Sequence, residues 1–194
     1  RTLVETYGMG PLVPNTIVLG HTLEAEHRKA YCEMISDFYK STRNVLIVRD
    51  SDNSPDKIKK RIDVWWGGLN KNGGLMILLA HLLQNSADWR GATINIKMVL
   101  PSAQAAEDVS SNLKSILSDM RVEATYDIIL KGEKPFHQLL TEKSHDADLV
   151  FLGMAEPHDN YENYYANLME KTKDLPMTMF VLAAEETAFG DVLK

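Results

Sequence analysis

Short runs of β-branched and aliphatic residues alternate along this chain with segments of helical period, and no other feature restricts its fold as much. The runs Thr16–Leu19, Val45–Arg49, Ile62–Trp66, Thr93–Val99, Glu123–Leu130, Asp148–Gly153 and Thr178–Ala183 have the length and composition of strands. Val45-Leu46-Ile47-Val48 and Leu149-Val150-Phe151-Leu152 are apolar without a break, as strands are when helices cover both faces of a sheet. Thr93–Val99 alternates instead through Ile94, Ile96 and Met98, which places it nearer an edge or an exposed face. Between the runs, Tyr31, Met34, Ile35 and Phe38 follow the i, i+3, i+4, i+7 spacing of an amphipathic helix. Leu75, Leu78, Leu79 and Leu82 do the same, and Met76, Ile77, Ala80 and Leu83 make that helix apolar on further sides, the most buried of the set. Val109, Leu113, Ile116, Leu117 and Met120 predict another helix, and Phe136, Leu139 and Leu140 a short one with Pro135 in its first turn. The last helix carries Tyr161, Tyr164, Tyr165 and Leu168, with Asp159 and Glu162 spaced as a capping box.

Strands and helices in this alternation need crossover connections, and so an α/β fold: a mainly parallel sheet with helices on both faces. One connection differs. Asp50–Arg61 is polar, contains Pro55 and has no helical stripe, so it reads as a loop between two strands. No repeat or linker divides residues 1–194, and one domain is expected.

A chain of this length buries roughly 70% of its unfolded surface, and its 44% hydrophobic and 25% charged residues suit an ordinary core. The single cysteine, Cys32, excludes an internal disulfide or a Cys-rich zinc site and fits a reducing compartment. Net charge is −6, and the best basic run, Lys57, Lys59, Lys60 and Arg61, sits among Asp50, Asp52, Asp56 and Asp63. That is a solvated loop rather than a phosphate-neutralising patch, so nucleic acid is not an expected partner. The longest apolar stretch, Gly73–Leu83, is interrupted by His81 and is well short of the ~20 residues that cross a bilayer. No signal-peptide pattern opens the chain. It starts at Arg1 in a segment, Thr2–Tyr7, that reads like the end of a helix, and a piece of a longer protein is the expectation.

Candidate sites do not assemble into a catalytic set. Gly67-Gly68-Leu69-Asn70-Lys71-Asn72-Gly73-Gly74 lies between a strand and a helix, where phosphates bind to free backbone N–H groups. It ends in neither Gly-Lys-Ser/Thr nor G-x-G-x-x-G, and reads as a tight turn with Asn72 as the helix N-cap. Asp50-Ser51-Asp52-Asn53-Ser54 starts like a calcium loop, but Pro55 and Arg61 occupy the positions that need Gly and Glu. His21, His27, His81, His137, His145 and His158 show no metal spacing. His145-Asp146 and His158-Asp159 have no nucleophile elbow to serve, and Cys32 falls among apolar positions as packing. The expected catalytic, cofactor-binding and metal residues are therefore none, with no cofactor.

Two motifs carry the reading further. Pro14-Asn15-Thr16-Ile17-Val18-Leu19-Gly20 resembles the Pro-Asn-Thr-Leu-Val-Leu-Gly segment in the cytosolic C-terminal domain of cation-chloride cotransporters. Ile62-Asp63-Val64-Trp65-Trp66, followed by Gly73-Gly74-Leu75 and a Leu-rich helix, resembles that domain's Asp-Val-Trp-Trp and Asp-Gly-Gly-Leu segments, with Asn72 in place of the Asp and a longer loop between. Gly8-Met9-Gly10, Asp148-Leu149-Val150 and Phe180-Val181-Leu182 also fall in the family's order. The resemblance implies a three-layer fold like that of universal stress proteins, in a sodium/potassium/chloride-type symporter whose membrane part lies upstream. It further implies a non-catalytic regulatory domain at the cytoplasmic face of the membrane, partnered by its own transport domain and by a second copy.

An alternative is a universal-stress-like nucleotide binder. Gly153-Met154-Ala155-Glu156 stands where that family resembles G-x-x-G, and Glu156 replaces the glycine that admits phosphate. Tight ATP binding is not expected. A small enzyme is the third possibility, and no nucleophile, base and orienter come together for it. For self-association the apolar tail Phe189-Gly190-Asp191-Val192-Leu193 is the preferred surface, over the tyrosine helix, whose stripe must face the sheet.

Overall fold

A computed structural model describes residues 14–51, 60–67, 71–102, 110, 113, 114, 117, 118 and 122–184. Its strands are β1 (Thr16–Gly20), β2 (Asn44–Arg49), β3 (Arg61–Trp65), β4 (Thr93–Leu100), β5 (Ala124–Leu130), β6 (Leu149–Gly153) and β7 (Thr178–Leu182). Each matches a run of the sequence to within one residue at either end. The helices are α1 (Ala25–Lys40), α2 (Lys71–Gln84), α3 (Phe136–Ser144) and α4 (Tyr161–Lys171). Ser110, Leu113, Lys114, Leu117 and Ser118 are helical as well, between β4 and β5; Val109, Ile116 and Met120 lie outside the described residues.

The strands form one sheet in the order β1-β2-β7-β6-β3-β4-β5. Every neighbouring pair is parallel except β2 with β7, which run antiparallel from Val45 opposite Leu182 to Arg49 opposite Thr178. Successive side chains point to opposite faces, so the sheet carries two cores. On one face Leu46, Ile62, Val64, Phe151 and Val181 pack under α2 and under Leu113 and Leu117. On the other Ile47, Trp65, Val150 and Phe180 pack under α1, α3 and α4. The result is the three-layer α/β sandwich.

β4 lies one strand in from the edge strand β5, near an edge as its alternation suggests, and the structure corrects three other details. β4 alternates because Asn95 and Lys97 point away from the first core, yet Lys97 is itself buried and is held by charge partners. α2 begins at Lys71, so Asn72 lies inside its first turn and is not its N-cap. α4 is opened by Asn160 with no side-chain cap bond, which displaces the Asp159–Glu162 box. Arg61 belongs to β3 and is not part of a solvated loop. Tyr161, Tyr165 and Met169 are buried against the sheet, as their stripe requires, while the tail at 189–193 lies outside the described residues.

Phe151 has no solvent exposure in the central strand β6. Phe151→Ala is expected to lower stability by about 3–5 kcal/mol through lost burial and the cavity left behind, read as a shifted urea midpoint with an unchanged slope.

Candidate functional site

The order of strands reverses between β3 and β6. From β3 the chain crosses through α2 to β4 on one side, and from β6 through α4 to β7 on the other. The loops leaving the two carboxyl ends therefore part, and open α/β sheets take ligands in the crevice this creates. Here it has a volume of about 360 Å³. Trp65, Trp66 and Gly67 line it from β3, Leu152, Gly153, Met154 and Ala155 from β6, Asn72, Gly73 and Met76 from α2, with Val99 and Phe136. The Phe136 ring meets Trp65 edge-on at 5.5 Å between centroids and leaves about half its own surface in solvent.

Several polar groups around the crevice are already engaged within the chain. The Asn72 amide donates from Nδ2 to the Met154 carbonyl at 2.7 Å and accepts at Oδ1 from the Ala183 N–H at 2.7 Å. The Met154 N–H donates to the Val181 carbonyl at 2.8 Å, and the Ala155 N–H to the Tyr164 hydroxyl at 2.8 Å. Gly153 lets the two packing partners approach closely: a Cβ there would stand 3.2 Å from the Asn72 Cβ, a contact tighter than side chains usually make. At the mouth, the Glu156 carboxylate faces Lys71 at 3.4 Å. A hydrogen bond from Tyr39 and the pairing with Lys71 hold its carboxyl below the usual range. The negative charge weighed in the sequence as an obstacle to phosphate is thus paired across the opening, though at an exposed site where such a pair contributes little.

Behind the crevice lies a buried charge network that the sequence reading missed. Asp63, with no exposure, accepts Arg61 Nε at 2.9 Å and the Ser144 hydroxyl at 2.7 Å. Trp65 Nε1 donates to the same Ser144 oxygen at 2.9 Å. Lys97 Nζ stands 3.8 Å from Asp63 and 2.9 Å from Asp127, and Arg61 also reaches Asp146 at 2.7 Å. Arg61, Asp63 and Trp65 share a face because they are two residues apart on one strand. A carboxylate inside an otherwise apolar run was the available signal, since a buried charge requires partners. Lys97 and Asn95 hold the Asp127 carboxyl below its ordinary value. Asp127 therefore adds stability that is present above the ordinary carboxylate range near 4 and is lost as pH falls through its lowered value.

The remaining candidates have structural roles. Arg49 is buried beneath the end of α4, where it donates to the Thr172 hydroxyl at 2.8 Å and to the Thr172 carbonyl, with Phe180 under its guanidinium at 5.3 Å. A cation there complements the carbonyl end of the helix. Burial pushes the Cys32 thiol up to about 11, which suits packing and not nucleophilic attack. His145 Nδ1 lies 3.0 Å from the Glu142 carbonyl, and Asp146 pairs with Arg61, so that pair is not a base with its orienter. His158 Nδ1 accepts the Asn160 N–H at 3.3 Å. Among the described residues no group of three or more His, Cys, Asp or Glu side chains is placed to hold a metal ion. Residues 52–59 of the calcium-like loop and 68–70 of the glycine-rich loop lie outside the described residues.

Asp63→Ala should cost about 1–3 kcal/mol, because it leaves the Arg61 Nε and the buried Ser144 hydroxyl without their acceptor. Asp146→Ala, at the solvent-facing end of the network, should cost less than ~1 kcal/mol. Equal shifts in a urea titration would contradict this ranking.

Comparison with known proteins agrees with the sequence motifs. A family model described as solute carrier family 12 matches residues 51–136, a span that contains both Ile62–Trp66 and Gly73–Leu75. Cation-chloride cotransporter 2 of Oryza sativa subsp. japonica is 28% identical over 158 residues, 76% of this chain and 14% of that protein. The chain thus spans about one-seventh of that relative's length. Among solved structures, the cytoplasmic domain of a prokaryotic cation chloride cotransporter superposes with a TM-score of 0.69 at 15% identity, covering 99% of this chain and 72% of that one. A universal stress protein from Archaeoglobus fulgidus DSM 4304 gives 0.54 at 13% identity, covering 86% and 60%. Both structural likenesses concern the fold.

Proposed function

We propose that this chain, a relative of the cation-chloride cotransporters, is a cytosolic regulatory and assembly domain of such a transporter. In this reading residues 1–194 act as one non-catalytic domain at the cytoplasmic face of the membrane, with the ion-carrying helices elsewhere in the protein. The observation that carries the reading is where the family match falls. Residues 51–136 include β3 and α2, the two elements that frame the crevice and carry Asp63 and Asn72. No helix among the described residues is long and apolar enough to cross a membrane, which is consistent with a domain that does not itself conduct ions. The test is chloride-dependent rubidium uptake by cells expressing the complete protein. Uptake is expected with the intact protein and should fall when Phe151→Ala destabilises this domain, at equal surface level. Absence of any chloride-dependent cation uptake by the intact protein would overturn the proposal.

A second copy of the chain is the expected partner, because a domain without a substrate acts through contacts. Val18 on edge strand β1 is 62% exposed and continues the apolar row Val18–Leu46–Val181 across the first core's face. Self-association through this edge is expected to be weak to moderate, and stronger when membrane domains raise the local concentration. Val18→Lys should shift the sedimentation of this chain toward monomer; a strict monomer at hundreds of micromolar without the substitution would refute the dimer.

The nucleotide-binding alternative is favoured by the crevice at the strand-order reversal and disfavoured by its chemistry. The loop after β6 spends the Met154 and Ala155 N–H groups on Val181 and Tyr164. Calorimetry is expected to find no micromolar affinity for ATP, and such an affinity would promote the alternative.

A further inference from the structure

The antiparallel pairing of β2 with β7 has a topological effect. It brings the start of β1, the start of β2 and the end of β7 to one edge of the sheet, and that is the edge on which the crevice opens. At this edge a series of short hydrogen bonds runs from where the chain enters the sheet to the crevice. Thr16 Oγ1 donates to Asn15 Oδ1 at 2.9 Å and accepts from Asn44 Nδ2 at 3.2 Å. The Asn44 N–H donates to the Asn15 carbonyl at 2.8 Å. The other end of the Asn44 amide, Oδ1, accepts from the Ala184 N–H at 3.0 Å. Ala183, the residue before it, donates its own N–H to Asn72 Oδ1 at 2.7 Å, and Asn72 Nδ2 donates to Met154 at 2.7 Å. Two asparagine side chains, from β2 and from α2, thus grip consecutive backbone amides at the end of β7, and each uses both ends of its amide.

We propose that this series is a coupling device, in which the position of the chain entering at Asn15–Thr16 and the shape of the crevice at Gly153–Ala155 bias one another. The physical reason is the rigidity of an amide group. Its oxygen and nitrogen move as one plane, so a shift of Ala183 that carries Asn72 Oδ1 with it withdraws Nδ2 from Met154. Asn72 has little freedom to compensate, since it packs so closely on Gly153 that a methyl group there would stand only 3.2 Å from its Cβ. At the other end, Asn44 holds Thr16 and Ala184 together in the same way, and Ala183 and Ala184 are joined by a peptide plane. The device does not depend on the transporter reading. For any longer protein, it means that a pull on the chain ahead of β1 is felt at the crevice, and that an occupant of the crevice is felt at β1, since coupling is reciprocal.

Amide hydrogen exchange on this chain tests it. Asn72→Ala is expected to speed exchange in Ile17–Gly20 by about fivefold or more, the factor set by losing a typical hydrogen bond, although Asn72 is bonded to Met154 and Ala183 and not to β1. Asn44→Ala should reciprocally speed exchange at Met154 and Ala155, while Ile94–Leu100 in β4 keeps its protection in both variants. Exchange that rises only at the directly bonded residues would overturn the proposal, and so would a rise shared equally by β4. Should Asn72→Ala fail to fold, Asn72→Asp separates the steps, because it keeps the acceptor for Ala183 and loses the donor to Met154. It should loosen Met154–Ala155 and leave β1 unchanged; a loosened β1 in that variant would contradict the order of the series.

Discussion

The pairing of β2 with β7 decides how this domain is closed. Five residue pairs, from Val45 opposite Leu182 to Arg49 opposite Thr178, run antiparallel in a sheet that is otherwise parallel. A parallel pairing would have set the ends of β1 and β2, and not their starts, beside the end of β7. The antiparallel ladder instead seats β1, α1 and β2 as one unit beside β7. It extends the second core with Cys32, Ile35 and Phe38 from α1, and it lets Arg49 reach across to the end of α4. It also brings Asn44 to the exit of β7, which Asn72 reaches from the crevice side.

The same economy of partners governs the middle of the sheet. Asp63 has no access to water, and a carboxylate buried that deeply needs cations and donors around it. Arg61 from its own strand, Lys97 from the neighbouring strand and Ser144 from the end of α3 supply them. The network therefore joins three elements that touch the crevice walls, with Trp65 Nε1 tied to it through Ser144. With the walls fixed from behind, the Asn72 amide and the Met154 and Ala155 N–H groups are spent within the chain and are not available to a phosphate.

Much of the fold was legible in the sequence, and the reasons are local. Runs such as Val45–Val48 and Leu149–Leu152 are too apolar and too short for anything but covered strands, and the apolar positions Met76, Ile77 and Ala80 beside the Leu stripe of α2 match its burial, while Leu82 at the end of that stripe is exposed. Two things were not legible. The partners of Asp63 depend on β4 lying next to β3, and nothing between residues 66 and 93 states that order. Asn72 looked like a helix cap because a cap is a local role; its actual partners come from Met154 and Ala183, placed by crossovers far along the chain. The family resemblance of Pro14–Gly20 and Ile62–Trp66 marked the right stretches without saying what they do. The structure assigns them places: Asn15 and Thr16 hold Asn44, and Asp63 anchors the charge network.

Asn72 stands at the centre of the crevice wall, with both ends of its amide held by the chain itself. The side-chain amide of Asn72 offers the most direct measurement, through its two Nδ2 protons in nitrogen–proton NMR spectra of this chain. A fixed amide bonded at both ends predicts two well-separated proton resonances, one of them slow to exchange with water, both unchanged on addition of ADP. Averaged, rapidly exchanging resonances, or resonances that move on adding ADP, would show an open crevice with free donors and contradict the account.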